Sequence, residues 1–188
     1  MKTAIFAGAT ARIVRDGESV EDAWEWITAM FKQPRPYDAK SFMPGGFYVE
    51  PEKQSNPLRG VSTGDVYKGS SRVGTDVFVD ITRCVPHKFL SYTEQYWEAE
   101  LADKATPSIM QFSISEHPKG ALVRIDRAEK QLHSIKSRLF SAVTGGFDGD
   151  TAVGRLAFIL ENRFAKGASF EGQTCQIERD DSLKALFG

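Results

Sequence analysis

The chain has 188 residues, ordinary apolar and charged fractions and a net charge of −1 at neutral pH. That length can bury a core without disulfide or metal staples, and it suits one domain with or without extensions. The lysines and arginines are scattered and no long window is apolar, which argues against nucleic acid as a partner, a polybasic membrane anchor and a membrane-spanning segment.

Residues 3–14 predict a first β-strand. Lys2, the run Ala4-Ile5-Phe6-Ala7 and the small Ala9-Thr10-Ala11 imitate a secretion signal, but the apolar run is too short for one, so a cytoplasmic location is expected. Ser19 and Asp22 then form a variant capping box at the start of a helix. Val20, Ala23, Trp24, Ile27, Met30 and Phe31 recur at helical spacing and make one apolar stripe, with Trp24 on it and Trp26 beside it. Pro34 and Pro36 end the helix. Residues 37–59, punctuated by Pro44-Gly45-Gly46, Pro51 and Asn56-Pro57, read as a long irregular connection with a short strand near Phe47-Tyr48-Val49.

From Gly60 to Arg127 the chain reads as an antiparallel meander. Gly64 to Gly69 is one strand with its turn. Thr75 to Val85 is the strongest strand, with Val77, Val79 and Ile81 on one face and Phe78, Asp80, Thr82 and Cys84 on the other. Val85-Pro86-His87-Lys88 turns the chain into Phe89–Trp97, where Leu90, Tyr92 and Tyr96 share a face. A polar loop leads to Ile109–Glu116, with Met110, Phe112 and Ile114 on one face. Pro118-Lys119-Gly120 then opens Ala121–Ala128, where Val123 and Ile125 alternate with Arg124 and Asp126. Alternation of this kind means one buried face and one solvated face.

Residues 132–144 predict a helix that Gly145-Gly146 ends. Asp148 or Asp150 caps a second, which runs to about Lys166 on the stripe Val153, Leu156, Ala157, Leu160 and Phe164. After Glu171, Leu183, Leu186 and Phe187 suit a short docked helix or a loose tail. The order strand, helix, meander, long helix is α+β: a curved antiparallel sheet wrapped around a long C-terminal helix, with an internal cavity on the concave side.

Few residues carry chemistry on spacing alone. Gly60-Val61-Ser62-Thr63-Gly64 matches a nucleophile elbow, but a loop precedes it and a strand follows, where the elbow needs a strand and then a helix. Gly64 to Gly69 spaces glycines like a phosphate loop, yet Ser70 stands where lysine is required. His87, His117 and His133 lack metal-ligand spacing, and Cys84 and Cys175 stand alone, so no metal and no cofactor is expected. Asp80, Arg83, Arg124 and Asp126 read as outer-face charge partners. Tyr92, Glu94 and Tyr96 share one strand face. If that face is solvated, Glu94 is a surface charge. If it lines the cavity, desolvation favours the neutral form of Glu94 and equips it as a general acid or base.

The runs Gly64-Asp65-Val66-Tyr67, Val73 to Ile81, Val85-Pro86-His87-Lys88-Phe89-Leu90-Ser91-Tyr92 and Phe112-Ser113-Ile114, with the glycine turn at Lys119-Gly120, resemble the START-like, or SRPBCC, helix-grip superfamily. The resemblance covers about residues 3–166, with residues 150–166 as the closing helix. It implies a helix-grip domain over residues 1–170, a C-terminal tail over 171–188, and a cavity for a hydrophobic or amphipathic small molecule: a lipid, a polyketide or an aromatic. It transfers no catalytic residue. The implied cavity wall comprises Val77, Val79, Ile81, Leu90, Tyr92, Phe112, Ile114, Val123, Leu156 and Leu160. The first reading is a ligand-binding module, for which a homodimer is compatible. The second is an enzyme of the polyketide cyclase/dehydrase kind, with proton transfer by Glu94 and a carbonyl polarised by Tyr92 or Tyr96. The third is an interaction domain related to chaperone cofactors, which would show a filled cavity and an exposed apolar patch.

Overall fold

The computed structural model describes residues 4–32, 48–55, 60–70, 76–97, 107–132, 151–160 and 174–188. These form β1 (Ala4–Asp16), α1 (Val20–Lys32), β2 (Tyr48–Lys53), β3 (Val66–Ser70), β4 (Asp76–Val85), β5 (Phe89–Trp97), β6 (Ser108–His117), β7 (Gly120–Leu132), α2 (Thr151–Ile159), β8 (Thr174–Arg179) and a C-terminal 3-10 helix (Asp181–Phe187). The strands make one eight-stranded sheet in the order β2-β3-β4-β5-β6-β7-β1-β8, and every neighbouring pair is antiparallel. The described part is therefore α+β, with a curled antiparallel sheet. Among the described residues, no helix is long and apolar enough to cross a membrane.

Period-2 alternation decides which side is buried. Ala9, Ala11 and Ile13 of β1, Met110, Phe112 and Ile114 of β6, and Ala121, Val123 and Ile125 of β7 share the inner face and are buried. Pairs such as Ile13↔Val123 and Ile114↔Val123 hold these rows in register.

The capping box forms as the sequence predicts. The Asp22 backbone N–H donates to Ser19 Oγ at 3.1 Å, and the Ser19 N–H donates to Asp22 Oδ2 at 3.0 Å. These bonds hold the Asp22 carboxyl below the usual carboxylate range. The apolar stripe of α1 (Ala23, Trp24, Ile27 and Phe31) packs into the core above β6 and β7 and reaches β2. Trp26 flanks it, half-buried, with the Arg15 guanidinium 4.3 Å from its ring centroid. Over the same core, α2 brings Ala152, Leu156 and Ile159, with Leu160 just beyond, onto β1, β7 and β8. The core thus lies between the sheet and two helices.

Three expectations need correction. First, β4 does not alternate throughout. Ile81 pairs with Tyr92 but Arg83 pairs with Ser91, so Thr82 is an extra residue in a bulge. The Thr82 hydroxyl donates to the Ser91 carbonyl at 3.0 Å, and the bulge turns Cys84 inward, opposite Leu90. Cys84 is half-buried against the core instead of lying on the outer face. Second, Leu132 ends β7 instead of opening a helix, and residues 133–150, with the proposed caps Asp148 and Asp150, lie outside the described residues. So do residues 161–166 of the predicted closing helix. Third, the tail docks the short helix that the sequence allows at Leu183–Phe187, but it also contributes a strand. β8 pairs with β1 from Ala9↔Arg179 to Val14↔Thr174, and the 3-10 helix folds across the outer side of β1. Gly8 permits this approach: a Cβ there would lie 2.3 Å from the Asp180 carbonyl oxygen and 2.9 Å from Leu183 Cβ. The short edge strand β2 accommodates Pro51 beside a register shift, as edges do.

Candidate functional site

The inner face is apolar along most of its length: Arg15 is buried at the end beside α1, paired with Glu18, and a denser set of charges lies at the opposite end. There, alternation along β7 continues past Val123 and Ile125 to Arg127 and Glu129, and alternation along β5 continues from Leu90 and Tyr92 to Glu94. Ser108 of β6 stands opposite Glu94. The Arg127 guanidinium reaches over β6: Nη1 donates to Glu94 Oε2 at 3.3 Å, and Nη2 lies 3.5 Å from Glu129 Oε2. The three side chains are 6%, 0% and 7% exposed for Arg127, Glu94 and Glu129. A carboxylate–guanidinium–carboxylate cluster is thus buried at the edge of the core.

Aromatic rings adjoin it. Tyr92 is fully buried, and its ring stacks on Phe112 with centroids 5.7 Å apart. Phe31 of α1 meets the Tyr92 ring edge-on at 5.8 Å and Tyr67 of β3 at 4.8 Å. Such pairs are worth about 0.5–1.5 kcal/mol beyond their area. They lock the floor beside the ions and tie α1 to β3 and β5.

Glu94 is therefore inward and desolvated, not a surface charge. Val79, Ile81, Leu90, Tyr92, Phe112, Ile114, Val123, Leu156 and Leu160 gather in the same core, each 6% exposed or less. Val77 and Tyr96 pair across β4 and β5, while their side chains lie outside the described residues. Arg127, Glu129 and Ser108 escaped the sequence reading. Their signal was available in the alternation itself, which puts Arg127 and Glu129 on the face of Val123 and Ile125. The strong tendency of charged residues toward the surface masked it.

The remaining motifs have structural roles. The Ser62 backbone N–H donates to Asp65 Oδ2 at 2.9 Å and β3 follows directly, so Gly60–Gly64 is a turn and not a nucleophile elbow. Buried Asp65 also accepts from the Ser55 N–H at 2.7 Å. His87 adopts a left-handed φ of 63° in its turn and stacks on Trp24 at 6.0 Å. His117 Nδ1 accepts from the Lys119 N–H at 3.3 Å. His133 lies outside the described residues. Both cysteines are free thiols, and burial, with the nearby Asp65 charge adding, pushes the Cys84 thiol up.

A second ionic network occupies the outer face of the same strand. Arg124 Nε donates to both Asp126 oxygens at 2.9 and 3.0 Å, a pairing along one strand rather than across two. The Thr10 hydroxyl donates to Asp126 at 2.7 Å and lies 3.2 Å from Asp180 of the tail. Arg124 Nη2 is 3.6 Å from Asp180. The Ser182 hydroxyl, with lesser help from the Ser182 N–H, Thr10 and Arg124, holds the Asp180 carboxyl below the usual carboxylate range.

No family model matches the chain, and no curated protein matches it in sequence. Solved structures do. CalU16 from Micromonospora echinospora is similar at a TM-score of 0.45 and 12% identity, over 89% of this chain and 84% of that one. Major latex-like protein 151 from Panax ginseng is similar at 0.45 and 10% identity, over 88% and 97%. DynU16, a protein of the dynemicin biosynthetic locus, is similar at 0.42 and 14% identity, over 81% of this chain and 47% of that one. Likeness at these TM-scores fixes neither a fold nor a function.

Proposed function

We propose that the protein has a helix-grip fold and binds an amphipathic small molecule, a lipid, polyketide or aromatic, on the concave face of its sheet. The apolar part lies against Tyr92, Phe112, Leu156 and Leu160, and the polar end meets Glu94, Arg127 and Glu129. One observation carries this reading: three charged side chains are buried together at one end of a largely apolar face, whereas Arg15 at the other end is buried singly, beside the part-exposed Glu18. Burying such a cluster seldom stabilises a protein more than apolar residues of the same volume, so its presence argues for recognition or chemistry. Apolar burial supplies affinity at roughly 25 cal/mol per Å², and a few polar groups fix the orientation. The described wall residues are shielded from solvent, so uptake displaces a helix from the sheet, and binding raises Tm.

Native mass spectrometry of freshly purified protein tests this. The expected result is a small-molecule adduct that denaturation removes. A bare protein mass, together with no thermal shift from long-chain alcohols, amines or carboxylates, rejects the reading.

The inward Glu94 also favours a second reading, an acid–base enzyme of the cyclase/dehydrase kind. Glu94, 3.3 Å from the Arg127 guanidinium, would exchange a proton with the substrate, while Tyr92 polarises a carbonyl. Glu94→Gln should then abolish turnover and spare binding. Loss of both, or of neither, rejects that role.

A further inference from the structure

We propose that residues 174–188 are a detachable strap that holds α2 against the sheet and is pinned to the back of β1 by Asp180 and Leu183. The attachment is narrow. Among the described residues, β8 is an edge strand bonded to β1 alone. Its Cys175, Gln176, Glu178 and Arg179 are exposed, and Ile177 is half-buried against the core. Leu183 is the buried residue of the 3-10 helix, seated on Gly8. The Asp180 N–H donates to the Gly8 carbonyl at 2.9 Å, and its carboxylate caps Ser182 at 3.0 Å and meets Thr10 and Arg124.

Segments held by few buried apolar contacts and a single ladder open before the rest of a domain does. Here the weakly held segment supports something larger. Besides β1 and β7, α2 packs on β8, and Ile177 enters the same core as Leu156 and Leu160. When the strap leaves, α2 loses its outermost support while β4–β7 keep their full ladder. The release itself needs no ligand. Its consequence, an uncovered concave face, rests on the proposed binding site.

Hydrogen exchange on the full chain tests the strap. Gly8→Ala drives a methyl group into the seat of Asp180 and Leu183, and Asp180→Asn weakens the pin without a wedge. The expected result is exchange about tenfold faster or more over 174–188, a parallel rise over 151–160, and unchanged protection in β4–β7. A freed tail with 151–160 protected as in the wild type overturns the proposal. So does a tail that both variants leave in place, or one that leaves only when β4–β7 open with it. Uptake of the dye N-phenyl-1-naphthylamine separates the two claims. Faster uptake by Gly8→Ala supports both. A freed α2 with no dye binding keeps the strap and ends the ligand-site reading.

Discussion

Strand β7 carries two arginine–carboxylate networks on opposite faces, and they obey different physics. Outside, Arg124 is 40% exposed and its bonds to Asp126 are 2.9 and 3.0 Å. Inside, Arg127 is 6% exposed and sits 3.3 and 3.5 Å from its two carboxylates. The outer pair has good geometry in high dielectric, where an ion pair is worth little. The inner cluster has looser geometry in low dielectric, where each charge has lost its water. Solvent exposure, more than bond length, sets how much each network matters to stability. The inner one is hard to explain as a stabilising device and the outer one is easy to explain as a local fastener.

Mutations can break or sharpen that contrast. Arg127→Met leaves two carboxylates buried without their guanidinium and should lower stability by about 3–5 kcal/mol in denaturant unfolding. A loss under about 1 kcal/mol would place the cluster in a wetter setting than its burial indicates. Leu183→Ala should cost about 2–3 kcal/mol, less than deep-core truncations because the strap can shift into the space. Arg124→Met should cost under about 1 kcal/mol, and raised salt should erase that difference while leaving the Arg127 effect in place.

Acid should loosen the outer network at Asp180. Asp180 interacts with Arg12 of β1 and Arg124 of β7 and shares the Thr10 hydroxyl with Asp126; along its own segment the nearby charges are Glu178, Arg179, Asp181 and Lys184, with Arg179 paired to Asp181. Its carboxyl is held below the ordinary range, so its contribution is complete above the unfolded-state value, near pH 4, and is lost as the pH falls through its lower folded value. Protection of 174–188 should therefore decline on acidification, and Asp180→Asn should flatten that decline. The smallest effect is expected at the exposed Arg12–Glu178 pair, where Glu178→Gln should leave Tm unchanged within error.

Much of the framework was legible because one-dimensional periodicity maps directly onto a face. The first helix, its Ser19–Asp22 box and the inward rows of β6 and β7 follow from spacing and capping alone. The inner position of Glu94 could not be settled that way, because strand alternation does not say which face is buried when both carry aromatic residues. Pairing with β6 decides it, by setting Glu94 beside Ser108. The bulge at Thr82 was invisible for a related reason: an extra residue in one strand is defined by its partner, and it reverses every face assignment after it. β8 hid because a six-residue edge strand needs a neighbour to become a strand at all. Arg127 is hard to read from sequence because buried arginines are rare, so its alternation with Val123 and Ile125 competes with the general tendency of charge toward the surface.

The account turns on the inner cluster serving recognition and not stability. Replacing Glu94, Arg127 and Glu129 together by methionine, and measuring unfolding free energy and N-phenyl-1-naphthylamine or native-ligand binding on the same sample, tests that most directly. The account predicts a variant as stable as the wild type or more so, by up to about 4 kcal/mol, with binding of the native molecule lost. A variant that binds the molecule as the wild type does, or that no longer folds, contradicts it.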